Sequence, residues 1–252
     1  MLKRVVALAI GALVLTACGG GGDNGAAPAV KTMRLSLYGK PFATGQAVSH
    51  MQATAKAAAP SSDAAATVQT LQDALAARGV SATVTAQVMD GTTLHQIVMG
   101  ENNGLPPTPD QFKTDPSEYL IVNFQLDDMA TPQTHPVQAA AVQQFIQDLT
   151  VFAQRAAVSG KLVYAVAPIQ TCDGVGSPSF ALNYAITQAG QKTLINTIGE
   201  IPFGVAFGPD GAPIPNPDLA HLGADCRTPD AYLLNMRTNA IADYLAALYK
   251  QK

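Results

Sequence analysis

Three groups of residues in this sequence have the types and spacing to do chemistry. Near the carboxyl end, Asp218-Leu219-Ala220-His221 sets a carboxylate three residues before an imidazole. A carboxylate that fixes the tautomer of a histidine lets the other ring nitrogen act as a general base toward a hydroxyl. Taken alone, the pair equally fits a turn carboxylate beside a surface imidazole. Asp127-Asp128 are adjacent acids, suited to holding a cation or to a solvated turn. Cys172 and Cys226 form an even pair in the second half of the chain. In an oxidising compartment such a pair reads as a disulfide, worth about 2–4 kcal/mol for a loop of this length; the other reading is two buried thiols. His50, His95 and His135 are scattered, with no HxH or HExxH spacing, and Cys/His spacing suited to zinc is missing. No metal centre and no cofactor is therefore expected.

Composition bounds the partners. Hydrophobic residues make up 48% of the 252 residues and charged ones 13%, enough to fill a core and too little charge for a disordered chain. The formal charge is −3 and nothing basic is clustered, which argues against nucleic acid. With no tryptophan, there is no cue to a sugar-stacking platform.

The amino terminus reads as an export signal. Lys3 and Arg4 precede an apolar stretch over 5–15, too short and too early for a typical spanning helix. The stretch ends in Leu15-Thr16-Ala17-Cys18, which resembles a bacterial lipobox. That resemblance implies cleavage before Cys18 and acylation of its thiol, so that the partner of the amino terminus is a membrane surface. The alternative is an ordinary secretory signal that contains a cysteine. Gly19 to Gly22 and Asp23-Asn24 follow as a flexible tether. The expected organisation is a signal at 1–17, an acylated tether at 18–31 and one domain at 32–252. Loss of Lys3 and Arg4 would leave a charge of −5. Gly19 stands where aspartate would mark retention at the inner membrane, so the expected location is the outer membrane, facing the periplasm.

The elements that must position these residues alternate. Short apolar or β-branched runs at 33–38, 82–88, 118–124, 162–169 and 201–207 read as strands. Between them, helices are expected over 64–77, a short piece to 99, 137–157 and 180–191. A last helix should run to 249, with Thr228 as N-cap and Pro229 at its first position. The run EYLIVNF at 118–124 is apolar almost throughout, as a parallel strand covered on both faces requires. The fold class expected is α/β, a three-layer α/β/α domain of flavodoxin-like type, whose site lies at the carboxyl ends of the strands.

At those strand ends stand Gly39-Lys40-Pro41-Phe42-Ala43-Thr44-Gly45, Gly91-Thr92-Thr93, Asn123-Phe124-Gln125-Leu126-Asp127-Asp128 and the late Asp218-x-x-His221. Their order and spacing resemble the four blocks of the SGNH (GDSL) hydrolase family over about residues 33–250. The resemblance implies an esterase-like site in which Asp218 and His221 match the acid and base, and Gly91 the second-block oxyanion donor. Gly39 and Gly45 match the glycines flanking the nucleophile. At the nucleophile position itself stands Pro41, which has neither a hydroxyl nor a backbone N–H. Lys40 replaces the acid before it, and Gln125 replaces a glycine. Asp127 stands at the oxyanion asparagine position, where an ionised carboxylate accepts but does not donate. These departures imply a domain impaired in catalysis that binds an acylated or glycan ligand, or assists envelope assembly. Gly91, Asp127, Asp218 and His221 would line its cleft, with Lys40 at the mouth. The alternative is an active ester hydrolase with a displaced nucleophile, Thr44 or Ser49, served by the Asp218/His221 pair. Cys172 and Cys226 would tie the loop after the fourth strand to the loop before the last helix, bracing the segment that carries His221.

Overall fold

A computed structural model describes residues 31–43, 62–101, 105–132, 134–173 and 176–251. The expected signal, Cys18, Thr44, Gly45, Ser49 and His50 lie outside the described residues. The run that was expected to be covered on both faces becomes β3 (Tyr119–Asn123), buried at every position. It lies at the centre of a parallel sheet with β1 (Met33–Gly39), β2 (Ala82–Val88), β4 (Leu162–Val166) and β5 (Ile195–Ile198), in the order β2-β1-β3-β4-β5.

Strand pleating sends alternate residues to opposite faces. Leu120 and Val122 of β3 meet one core cluster, packed by α2 (Leu94–Met99), α3 (Pro136–Val158) and α4 (Pro178–Lys192). Tyr119 and Ile121 meet the other, packed by α1 (Ser62–Ala76) and α5 (Ala231–Gln251). This is the expected three-layer α/β/α arrangement. A third, smaller cluster sits at the carboxyl end of the sheet, where Ile169, Phe203, Val205, Leu222 and Leu233 surround Cys172.

Two expectations are corrected. Residues 201–207 do not form the fifth strand. That run contains Pro202 and Gly204, which interrupt a ladder, and Phe203 and Val205 are instead buried in the third cluster. The strand is the less apolar Ile195–Ile198, paired with β4. The last helix begins at Ala231, not at Pro229. Its cap is Asp230, whose carboxylate Oδ1 accepts from the backbone N–H of Tyr232 and of Leu233 at 2.9 and 3.2 Å.

Candidate functional site

The strand order reverses between β1 and β3, and an open parallel sheet binds ligands in the crevice at such a point. Gly39 ends β1 there with φ +91°. A Cβ at this position would stand 2.5 Å from the Asn123 carbonyl oxygen, so only glycine fits. The same carbonyl accepts from the Lys40 N–H at 2.8 Å, and the Asn123 side-chain amide donates to the Lys40 carbonyl at 2.7 Å. The next turn is held from α1, where the buried Thr67 hydroxyl oxygen accepts from the N–H groups of Phe42 and Ala43. Phe42 is turned into the core beneath, 2% exposed. Pro41 is left facing a cleft.

That cleft has a volume of about 460 Å³. Lys40, Pro41, Asn123 and Gln125 form one wall, at the ends of β1 and β3. Pro168, Ile169, Thr171, Asp173 and Ser179 form the second, from the loop after β4 and the start of α4. Asp225, Arg227, Thr228 and Pro229, with Leu234 and Arg237 of α5, form the third. Thr171, Ser177 and Ser179 share hydroxyl hydrogen bonds of 2.7–3.1 Å, and the Thr171 hydroxyl also donates to Asp173 at 2.6 Å. The disulfide Cys172–Cys226 fastens the second wall to the third, as the cysteine pairing predicts. Beside it, Asp173 accepts an ion pair from Arg227 at 2.7 Å. Asp225 accepts from the N–H groups of Arg227 and Thr228 and from the Thr228 hydroxyl. Those bonds, the hydroxyl first, hold its carboxyl down at about 2.

A second, smaller cleft of about 280 Å³ lies on the other side of Lys40 and Gln125. Gly91, Thr92, Thr93 and Asp127 line it. Its floor is fixed by α2, where Thr93 and Gln96 make a reciprocal capping box. Asp127 therefore does not face the Pro41 cleft. The amides on that side are Asn123, which donates to the Lys40 carbonyl, and Gln125, which lines both clefts and can donate where Asp127 cannot. Asp128 serves a turn, accepting from the N–H groups of Ala130 and Thr131 and from the Thr131 hydroxyl.

Asp218 and His221 lie on the 3₁₀ turn Pro217–Leu222 and line neither cleft. The expected pairing between them is replaced by another. His221 Nδ1 stands 2.7 Å from Asp230 Oδ2, and the His221 carbonyl accepts the Asp230 N–H at 2.8 Å. The imidazole stacks on Tyr232 with ring centroids 4.3 Å apart. The hydrogen bond from His221 is the main reason the Asp230 carboxyl sits below its usual range. Local spacing pointed to Asp218, but the chain between 222 and 230 folds back and brings Asp230 to the ring. Thus Lys40, Gly91 and Asp127 share one cleft, Lys40 and Pro41 the other, and the His221 pair stands outside both.

Reading the sequence alone missed Arg227, Asp173, Asp230 and, above all, Arg237. The last left a signal. Leu233, Arg237, Ile241 and Leu245 recur every four residues along the last helix, so an arginine interrupts an apolar stripe. A second imidazole–carboxylate pair was also missed. His95 Nδ1 is 3.0 Å from the buried Asp148, to which the Gln144 amide also donates. It ties α2 to α3, as expected of a satisfied histidine.

No family model and no curated protein matches the sequence. Solved structures do. A protein of Slackia heliotrinireducens assigned to the SGNH hydrolases is 12% identical, with a TM-score of 0.51 over 85% of this chain and 100% of its own. TesA is 15% identical over 85% of this chain and 97% of its own, with a TM-score of 0.49. A lipolytic protein of the G-D-S-L family from Desulfitobacterium hafniense is 9% identical over 86% and 99%, with a TM-score of 0.46. The five-stranded parallel sheet with helices on both faces, and its superposition on the first of these structures, give the chain an SGNH-hydrolase-type fold.

Proposed function

We propose that this chain is an envelope lipoprotein, anchored through acylated Cys18, whose SGNH-like domain binds an acylated or glycan ligand without hydrolysing it. The observation that carries this reading is Pro41 on the wall of an open cleft, a residue with no hydroxyl where the family resemblance expects the nucleophile. Loss of a nucleophile costs on the order of 10⁶ in turnover in a serine protease. The displaced imidazole supports the same reading. His221 is held by Asp230 and does not line the cleft that Pro41 faces. The site residues of the reading are Lys40, Pro41 and Gln125, with Gly91 and Asp127 in the adjoining cleft. The outer membrane, facing the periplasm, is the location that Gly19 favours.

The test is an ester-hydrolysis assay of the full chain in detergent, with p-nitrophenyl acetate and butyrate, beside labelling by a fluorophosphonate probe. Background turnover and no labelling are expected, unchanged in His221→Ala. In cells fed radiolabelled palmitate, the chain should carry label and Cys18→Ser should not. A second reading, an ester hydrolase with a displaced nucleophile, draws on the His221–Asp230 pair, which has the orientation of a general base and its orienting acid. Turnover that disappears in His221→Ala, and labelling that disappears in Thr44→Ala or Ser49→Ala, would establish that reading and overturn the first.

A further inference from the structure

The chemistry of the ligand follows from charges that the larger cleft leaves uncommitted. Arg237 lies on the buried stripe of α5 and is 8% exposed. Among the described residues its guanidinium makes no hydrogen bond and no ion pair, and Nε is buried without a partner. Burial pushes its pKa down to about 10. A guanidinium carries five donors and stays charged at neutral pH. To hold one out of water with no acceptor is costly, so buried arginines are nearly always paired.

Among the described residues, the cleft offers Arg237 no free carboxylate. Asp173 spends one oxygen on Arg227 and the other on Thr171. Both oxygens of Asp225 are taken by its own turn. The ammonium of Lys40, exposed on the wall near Pro41, also has no acceptor among the described residues. Among the described residues, two cations therefore face the cavity unpaired, while both of its carboxylates are committed. The rest of the lining includes apolar surface from Pro41, Pro168, Ile169 and Leu234.

We propose that the cleft beside Pro41 binds an oxyanion, a carboxylate or phosphate group, against the guanidinium of Arg237, with Lys40 as a second, exposed cation. The planar fork of arginine suits both groups, donating to two oxygens at once. This rests on the reading of the cleft as a binding site and adds the class of group bound there. The anion has two sources, free in solution or carried on an organic body, and the body would lie on the proline and leucine surface.

The experiment is isothermal titration of the full chain in detergent at constant ionic strength. The probes are inorganic phosphate, glucuronate and butyrate, with glucuronamide and butyramide as neutral counterparts. At least one anion should bind, and glucuronate or butyrate, where it binds, should do so at least about tenfold more tightly than its neutral amide, the factor expected when a charge-assisted hydrogen bond is lost. Phosphate alone would indicate a free ion; glucuronate or butyrate, an acidic glycan or acyl body. Arg237→Met, which continues the apolar stripe, should remove the preference for the anion, and Arg237→Lys should retain part of it. Circular dichroism would check that both are folded. Lys40→Met should weaken binding less than Arg237→Met. Failure of every anion to bind, or equal anion affinity in folded Arg237→Met, overturns the anion site. Binding of a neutral probe without anion preference also overturns it, yet leaves the cleft a binding site. Hydrolysis of an ester probe would sink the non-hydrolytic reading and not the anion site.

Discussion

Gly39 holds the junction where β1 hands the chain to the cleft. Its φ of +91° is strained for any residue with a Cβ, and that Cβ would overlap the Asn123 carbonyl. The carbonyl cannot retreat easily, because Lys40 and Asn123 exchange hydrogen bonds across the same point. Gly39→Ala should destabilise the fold by about 2–4 kcal/mol, combining backbone strain with the clash. Urea denaturation would measure it, and a loss below about 0.5 kcal/mol, the range of neutral surface changes, would show that the junction is slack. At this scale the sequence was only partly legible. Gly39, at the end of β1, and Pro41, on the cleft wall, lie where a block after the first strand is expected to lie. The partner of His221 does not, since a three-residue spacing describes the chain and says nothing of a loop that returns nine residues later. Asp127 does share a cleft with Gly91 and Lys40, as expected, but Pro41 faces the cleft on the other side of Lys40. Counting from β3 gives the position of Asp127 in the chain, while its side of Lys40 depends on how the turn after Phe124 is packed.

The elements were read more fully, because periodicity is a local property and most of this fold uses it. The apolar run of β3 and the apolar face of α3 each follow from residue type and spacing. β5 was the exception. Its four residues, INTI, are polar at two positions and gain their strand geometry from hydrogen bonds to β4, which no local pattern reports. Loops between elements carry buried polar ties that were equally invisible. Asp115, in the segment before β3, accepts from Ser36 and Tyr38 of β1 and from the Ser117 N–H, while the Lys161 ammonium donates to the carbonyls of Asp115 and Ser117. Burial acts to raise the Asp115 carboxyl, but the bonds from Ser117, Tyr38 and Ser36 outweigh it and hold the group below its ordinary 3.8. Burial first, then the Asp115 charge, push the Tyr38 hydroxyl above its ordinary range, so it stays a donor. A carboxyl depressed in the folded state contributes stability that is complete above its unfolded pKa and is lost as pH falls through the folded one. Stability should therefore decline on acidification below about pH 4, and Asp115→Asn should flatten part of that decline. At neutral pH the variant should cost about 1–3 kcal/mol, because buried donors lose an acceptor. Denaturation midpoints of both proteins between pH 3 and 7, set about the carboxylate range, would test the sign. An acid slope equally steep in the variant would remove Asp115 from the account.

For the whole domain, the open question is what keeps a cleft of this size from collapsing when one of its walls comes from the far end of the chain. Its first wall is part of the sheet. The third is a loop and a helix more than a hundred residues later, reached through the 3₁₀ turn that carries His221. Cys172–Cys226 joins that wall to the loop after β4 across a separation of 54 residues, with the Arg227–Asp173 ion pair immediately beside it. A bridge closing a loop of this length stabilises a domain by about 2–4 kcal/mol, chiefly by restricting the unfolded chain. That term alone would leave the cleft unaffected once folded. The ion pair, partly exposed, is too weak to hold the walls alone, so the covalent tie should also hold Arg227 against Asp173 and keep the carboxylate away from Arg237. The double variant Cys172→Ala/Cys226→Ala should therefore show two effects in titrations below its melting temperature. Its unfolding midpoint should fall, and the anion that binds best to the unaltered chain should bind severalfold more weakly, as Asp173 becomes free to compete for the buried guanidinium. Adding Asp173→Asn to the double variant should restore the affinity without restoring the midpoint. A fall in the midpoint with unchanged affinity would confine the disulfide to stabilising the fold and leave the cleft braced by the packing of Ile169, Leu222 and Leu233 alone.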